Sequence, residues 1–319
     1  MDLEFNEDQN AIAAGVDQLV GRHTLSVSME PAVYQLSPAL ERELVDSDFL
    51  NVARWDGLGA LEALIVIEGL ARSPFAVETT ASALVGPVLG LEALPRPVSL
   101  VGPPHDAPVR FLAEEGAALI DMGDEIRLIA GRELAVSPVT SLYAYPMGRI
   151  GAVDLASAGE ALDVDPEAFR HLWRLGLAAE IVGAMQMALD LTVDHVKTRQ
   201  QFGHPLGTFQ AIQHRLSECH MAVQGSRLLV REAASQDSRD GAALAATYAQ
   251  EAAARLVYET QQFHGAMGLT LEYPLHYWTY RLRVLQGELG GINAQARLGA
   301  ELAWPVSEPI AETFRGQVV

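Results

Sequence analysis

"TRQQFGHPLGTFQAIQH", residues 198–214, sets Gly203, Pro205 and Gly207 between two stretches that both read as helix. Proline cannot continue a helix and glycine weakens one, so the helix must stop here. Around the break stand Arg199, Gln200, Gln201, His204, Gln210, Gln213 and His214, a polar set that helix termination alone does not require. Upstream, Asp165-Pro166-Glu167 is a start signal: Asp caps free N–H groups, proline suits the first helical position, and an acid complements the positive helix end. "FRHLWRLGLAAEIVGAMQMALDLTVDHVKTR" (169–199) is apolar on most faces, which predicts a helix buried between neighbours. Downstream, Phe209, Ile212, Leu216, Cys219, Val223 and Val230 mark one face of a second long helix. A third is expected from near Asp240 to the "HGAMG" of 264–268, and a fourth over "PLHYWTYRLRVLQGEL" (274–289), ending at Gly290-Gly291. Four helices with short joints predict an up-down bundle, assigned to residues 163–319.

The chain before that bundle has two textures. Residues 1–94 read as a helical domain, opened by "NEDQNAIAAGVDQLV" (6–20). Two apolar helices are expected in "LGALEALIVIEGLARSPFAVETTASALVGPVLGLEAL" (58–94), punctuated at Ser73-Pro74 and Gly86-Pro87. In residues 95–162 prolines become dense and separate short runs, "AALIDM" (117–122), "IRLIAG" (126–131) and "ELAVSPV" (133–139), that read as strands of a reduced β domain. The expected fold class is therefore mostly α with a small β domain.

At 319 residues, 49% of them apolar and 20% charged, the composition is that of a globular chain with ample core. Uninterrupted apolar runs fall short of the ~20 residues of a membrane helix, and the acidic opening "MDLEFNEDQNAIAAG" is unlike a secretory leader, so a cytoplasmic protein that does not span a membrane is expected. Forty-one acidic against 22 basic residues, a net charge of −19, disfavour nucleic acid. Scattered histidines and a lone cysteine offer no metal-ligand spacing, and Cys219 reads as a small core residue.

The remaining chemistry lies in the opening stretch and in "ETQQFHGAMGLTLEYPLHYW" (259–278). Arg199 offers a planar fork suited to phosphate oxygens. Gln210, Gln213, Gln261 and Gln262 offer amides that donate and accept, and Gly265 and Gly268 let backbone approach a ligand. Together these suit a nucleotide; the plainer reading is a dipole-complementing arginine, solvated amides and capping glycines.

The two segments together resemble the C-terminal signature of the acyl-CoA dehydrogenase family, which pairs "RxxFGxPLxxFQxxQ" with "QxHGGxGxTxExP". That resemblance implies an acyl-CoA dehydrogenase-like fold, an N-terminal helical domain, a middle β domain and a C-terminal four-helix bundle, and FAD as cofactor. Carried onto matching positions, Arg199 meets the pyrophosphate, Phe202 packs on the cofactor, Gln210 addresses the adenine end, and Gln262 with Gly265 meets the phosphates; core packing is the other reading of Phe202.

Three departures from the family stand out. Ala266 replaces the second glycine of the loop. Residues 95–161 lack a convincing flavin-facing segment. The catalytic glutamate of a "YEGT" segment has only Glu288 of "LQGELGG" (285–291) near its place, and a second family location for that base falls near Trp173. The catalytic residue is thus unassigned. The resemblance extends to short subunits of α2β2 acyl-CoA dehydrogenases of the steroid side-chain-degrading type. It implies a longer partner that supplies the flavin-ring site and the base, with a bulky acyl-CoA thioester as substrate. Two alternatives stay open: a self-sufficient homotetrameric dehydrogenase using Glu288, and a helical scaffold without FAD.

Overall fold

The computed structural model describes residues 4–25, 32–92 and 94–304. Its first helix, α1 (Glu7–Arg22), starts where Asn6 accepts from the Gln9 amide and the Gln9 side chain accepts from Asn6 in return. That reciprocal pair satisfies two of the free N–H groups of a helix start. α2 (Pro38–Asp46) follows, capped by Ser37, and then a 3₁₀ segment, Phe49–Arg54. α3 (Ala60–Ala71) is apolar and buried, and stops before Ser73-Pro74 as expected. Gly86-Pro87 does not punctuate: a π-helical turn, Thr80–Val85, runs directly into the short α4 (Gly86–Val88). Helical bonds resume beyond the proline, the Leu89 amide donating to Val85 O (3.1 Å) and the Leu91 amide to Gly86 O (2.9 Å).

Seven short strands follow: β1 (Val98–Val101), β2 (Val109–Arg110), β3 (Ala117–Asp121), β4 (Ile126–Ala130), β5 (Ser137–Val139), β6 (Met147–Arg149) and β7 (Glu160–Leu162). They form a four-stranded sheet of order β1-β3-β4-β7 and a three-stranded sheet of order β2-β6-β5. β1 and β3 are parallel, with Val98 opposite Ala117, while β3, β4 and β7 are antiparallel neighbours. "AALID" is buried at every position because its faces serve two cores. Leu119 joins the main one, whereas Ala118 and Ile120 join a smaller cluster with Val101, Leu112, Ile129 and Leu134. Of "ELAVSPV" only Ser137–Val139 is strand; the chain before it turns through a 3₁₀ segment, Gly131–Glu133.

The long helix α5 (Pro166–Thr198) is capped by Asp165, which accepts from the Glu167 amide. By length and composition it could cross a membrane, unlike the reading from runs alone, yet 72% of its most apolar window is buried in the protein. It is the axis of the molecule, packed by α3 on one side and by the bundle on the other. The approach of α3 is close enough that a Cβ at Gly183 would sit 2.1 Å from the Glu68 carbonyl oxygen.

The break in the opening stretch is a small β-hairpin: β8 (Gln200–Gln201) pairs with β9 (His204–Pro205), and Phe202 and Gly203 turn between them at φ 55° and 81°. α6 (Gln210–Gln236) and α7 (Arg239–His264) follow. The fourth bundle position is split, which corrects the expected ending at Gly290-Gly291. α8 (Leu275–Leu285) stops early, Leu289 takes a left-handed conformation at φ 54°, and α9 (Gly291–Ala303) runs on against α7. The glycine pair, both at positive φ, is a corner between two helices.

Arg281 of α8 ties three zones together. Buried at 3% exposure, its guanidinium donates to Ser73 O (2.7 Å), Pro74 O (2.5 Å) and Ala144 O (3.3 Å).

Candidate functional site

α5 ends, α6 begins and α7 ends at the same end of the bundle, because α6 and α7 run antiparallel and share a salt bridge between Arg215 and Glu259. Arg215 also lies over the Phe263 ring, 4.8 Å from its centroid. Two histidines fix the junction. His195, one turn before Arg199, stacks on His264, the residue before Gly265, with ring centroids 4.3 Å apart. Tyr273 closes the group, 4.8 Å from His264 and 6.1 Å from His195. Burial and then the Arg199 charge hold His195 below the usual histidine range; burial chiefly does the same for His264. Two neutral rings can stack where two imidazolium ions would repel.

On this base the residues singled out from sequence stand at one end of the bundle. Arg199 caps α5, and its carbonyl accepts from the Leu206 amide (2.8 Å), which closes the hairpin. Its side chain is exposed and has no ion-pair partner among the described residues. Phe202 is 87% exposed at the hairpin tip, touching Phe209 edge-on at 6.2 Å, so core packing does not account for it. Gln210 and Gln262 are exposed on α6 and α7. Gln213 is engaged in the fold, donating to Gly207 O (2.8 Å). Gly265, at φ 60°, ends α7 with open space where a Cβ would point. Ala266 is not at positive φ, so its methyl costs no backbone strain. Among the described residues the Arg199 guanidinium has no ion-pair partner, and such a guanidinium, with exposed amides and bare backbone beside it, is chemistry able to meet phosphate oxygens and a base edge.

Glu288 lies elsewhere, between the β region and the bundle. It is neither a solvated helix glutamate nor a free carboxylate: Arg110 grips it through Nε and through Nη2 (3.3 Å), and Trp173 Nε1 donates at 3.2 Å. Arg110 also donates to Glu180 (2.8 Å), which accepts from the Tyr145 hydroxyl (2.6 Å). Burial by itself would lower the Arg110 pKa, but Glu180 and Glu288 reverse that and raise it well above the usual value. Both Glu288 carboxylate oxygens are thus occupied by donors of the fold itself. Trp173, the other location considered for a base, carries no carboxylate and is buried. Cys219 is a buried thiol, pushed up to about 11 by burial. Among the described residues no cluster of three or more His, Cys, Asp or Glu could hold a metal ion.

Sequence reading missed the His195–His264–Tyr273 group, although each histidine neighbours a motif residue. It also missed Arg110, which is 178 positions from Glu288 and which no local pattern links to it.

In comparison with known proteins, residues 167–302 match the family model described as acyl-CoA dehydrogenase, C-terminal domain. The acyl-CoA dehydrogenase IpdE2 of Mycolicibacterium smegmatis is 36% identical over 121 residues, which cover 38% of this chain and 39% of that relative, so the chain matches well under half of its length. Two solved structures match over nearly the whole chain and show the fold. The ChsE4–ChsE5 complex from Mycobacterium tuberculosis gives a TM-score of 0.73 at 22% identity, covering 97% of this chain and 100% of that one. The Tcur3481–Tcur3483 steroid ACAD gives 0.75 at 23% identity, covering 93% and 98%.

Proposed function

We propose, from the premise that residues 167–302 are an acyl-CoA dehydrogenase C-terminal domain, that this chain is one subunit of an FAD-dependent acyl-CoA dehydrogenase whose flavin ring and catalytic base belong to a longer partner subunit. FAD, when bound, supplies the acceptor for the hydride leaving the β carbon of an acyl-CoA thioester. This chain holds the other end of the cofactor. Arg199 meets the pyrophosphate, Phe202 packs against the cofactor, Gln210 addresses the adenine, and Gln262 and Gly265 meet the phosphates.

The observation that carries the reading is Phe202. A bulky, fully solvated aromatic in the left-handed region costs about 1–3 kcal/mol, and strain of that kind persists where a ligand or partner uses it. Arg199 beside it, without a carboxylate partner among the described residues, supports an anionic ligand on an open face, one that another chain must cover. Glu288, engaged by Arg110 and Trp173, speaks against a self-sufficient dehydrogenase. The likeness to the ChsE4–ChsE5 complex and to a steroid ACAD named for two proteins supports a partner subunit and a bulky, steroid-derived acyl-CoA; the assembly we propose is α2β2.

Co-expression with a longer acyl-CoA dehydrogenase subunit tests this. The expected outcome is a stable complex with one flavin per heterodimer, from which Arg199→Ala removes most of the flavin while leaving the complex assembled. A chain that purifies alone with stoichiometric flavin and oxidises an acyl-CoA by itself overturns the proposal.

A further inference from the structure

The cavity beside Glu288 is a second site, separate from the open joint. It is a half-open cleft of about 560 Å³ between the β region and the bundle, within the range of small-molecule pockets. Four arginines line it in a chain whose net charge is −19. Two of them are committed. Arg110 is held by Glu180 and Glu288, and Arg170 by Asp121 (2.6 Å to each carboxylate oxygen) and Glu167, so the acids on the wall, Asp121 and Glu288, are neutralised.

Arg174 and Arg283 are not committed. Arg174 is 94% buried, at 6% exposure, yet has no ion pair among the described residues; its one hydrogen bond runs from Nε to Gln295 Oε1 (2.9 Å). Burial holds its pKa below the usual arginine value, only partly offset by the charges of Glu167 and Asp121. Its setting is rigid: Gln295 in turn donates to Leu289 O (2.6 Å), and Gln250 donates to Glu288 O and Leu285 O, each at 3.0 Å. The terminal nitrogens of Arg174 are thereby left facing the cavity with no acceptor from the described residues. Arg283 of α8 lines the same cavity, exposed and without an ion pair among the described residues. Around these two cations the wall is apolar, formed by Leu100, Pro104, Trp173, Val284 and Leu289.

A buried unpaired guanidinium is costly, and a carboxylate offers the bidentate acceptor it lacks. We infer that this cavity binds an organic carboxylate with a compact ring-like apolar body, its charge on Arg174 and Arg283 and its body against Trp173 and Leu289. This site does not depend on the proposed flavin joint, and its test needs neither FAD nor a partner.

Isothermal titration of the full chain with 2-naphthoate, 2-naphthamide and inorganic phosphate reads it. Naphthoate is expected to bind about tenfold or more tightly than either of the others, and Arg174→Gln to weaken it by a similar factor, as removal of one member of a desolvated charge pair does. Arg283→Gln, at an exposed position, retains the fold and is expected to weaken naphthoate about three- to tenfold; it decides the matter if Arg174→Gln does not fold. Absence of naphthoate binding, equal affinity for the amide or for phosphate, or an affinity that Arg283→Gln leaves unchanged overturns the inference.

Discussion

Phe202 couples a local cost to a use. Replacing it by glycine relieves the left-handed strain and removes no buried contact, so the free chain should keep its melting temperature or gain slightly. The complex with a longer subunit should nonetheless lose flavin. Thermal melting of the chain and flavin content of the complex check the two halves, and a coincident fall in both would make Phe202 a structural residue only. The histidine pair gives a pH dependence with a definite sign. His195, His264 and also His171 have folded pKa values lowered, mainly by burial, from 6.5. The unfolded chain therefore binds more protons below about pH 6.5, and stability present above that value is lost as pH falls through it toward the folded values. Urea denaturation at pH 7.5 and 5.5 should show that loss, and His264→Phe should flatten it.

At the scale of elements, close approach and buried polar joints decide how the helices meet. Gly183 is the point where α3 lies against α5, and an alanine methyl there would press on the Glu68 carbonyl at 2.1 Å. Gly183→Ala should destabilise the fold by about 1–3 kcal/mol, despite alanine's better helix propensity. Chemical denaturation of the variant measures it, and an unchanged midpoint would mean that α3 can move away freely. Helices were legible because their apolar periodicity and caps are local: Asp165 caps α5 as its position before proline implies. The split of the fourth helix was not legible. Gly290-Gly291 reads as a stop in sequence, and only the packing of α9 against α7 makes it a corner. The hairpin at 200–205 was equally hidden, since two paired residues on each side leave no alternating pattern.

On the scale of the whole molecule, the two polar regions differ in enclosure. The joint of Arg199, Gln210 and Gln262 is an open face, whereas Glu288 and Arg110 sit inside, between β strands and bundle. An open face buries little of a ligand, so the isolated chain should hold FAD at least about a hundredfold more weakly than the complex does. Fluorescence titration of free FAD into each preparation measures the ratio; equal affinities would refute a shared site.

The sequence by itself determined the order of helices, short strands and bundle, the apolar axis at 166–198, and the two motif segments with Arg199, Phe202, Gln210, Gln262 and Gly265. These are consequences of near-neighbour patterns, in which period, cap and breaker act within a few residues. Tertiary structure alone decided that Phe202 stands in solvent, that His195 meets His264, and that Arg110 engages Glu288 across 178 positions. Such pairings depend on which surfaces the packed helices and sheets bring face to face, and a carboxylate's chemistry follows from the neighbour it is given there.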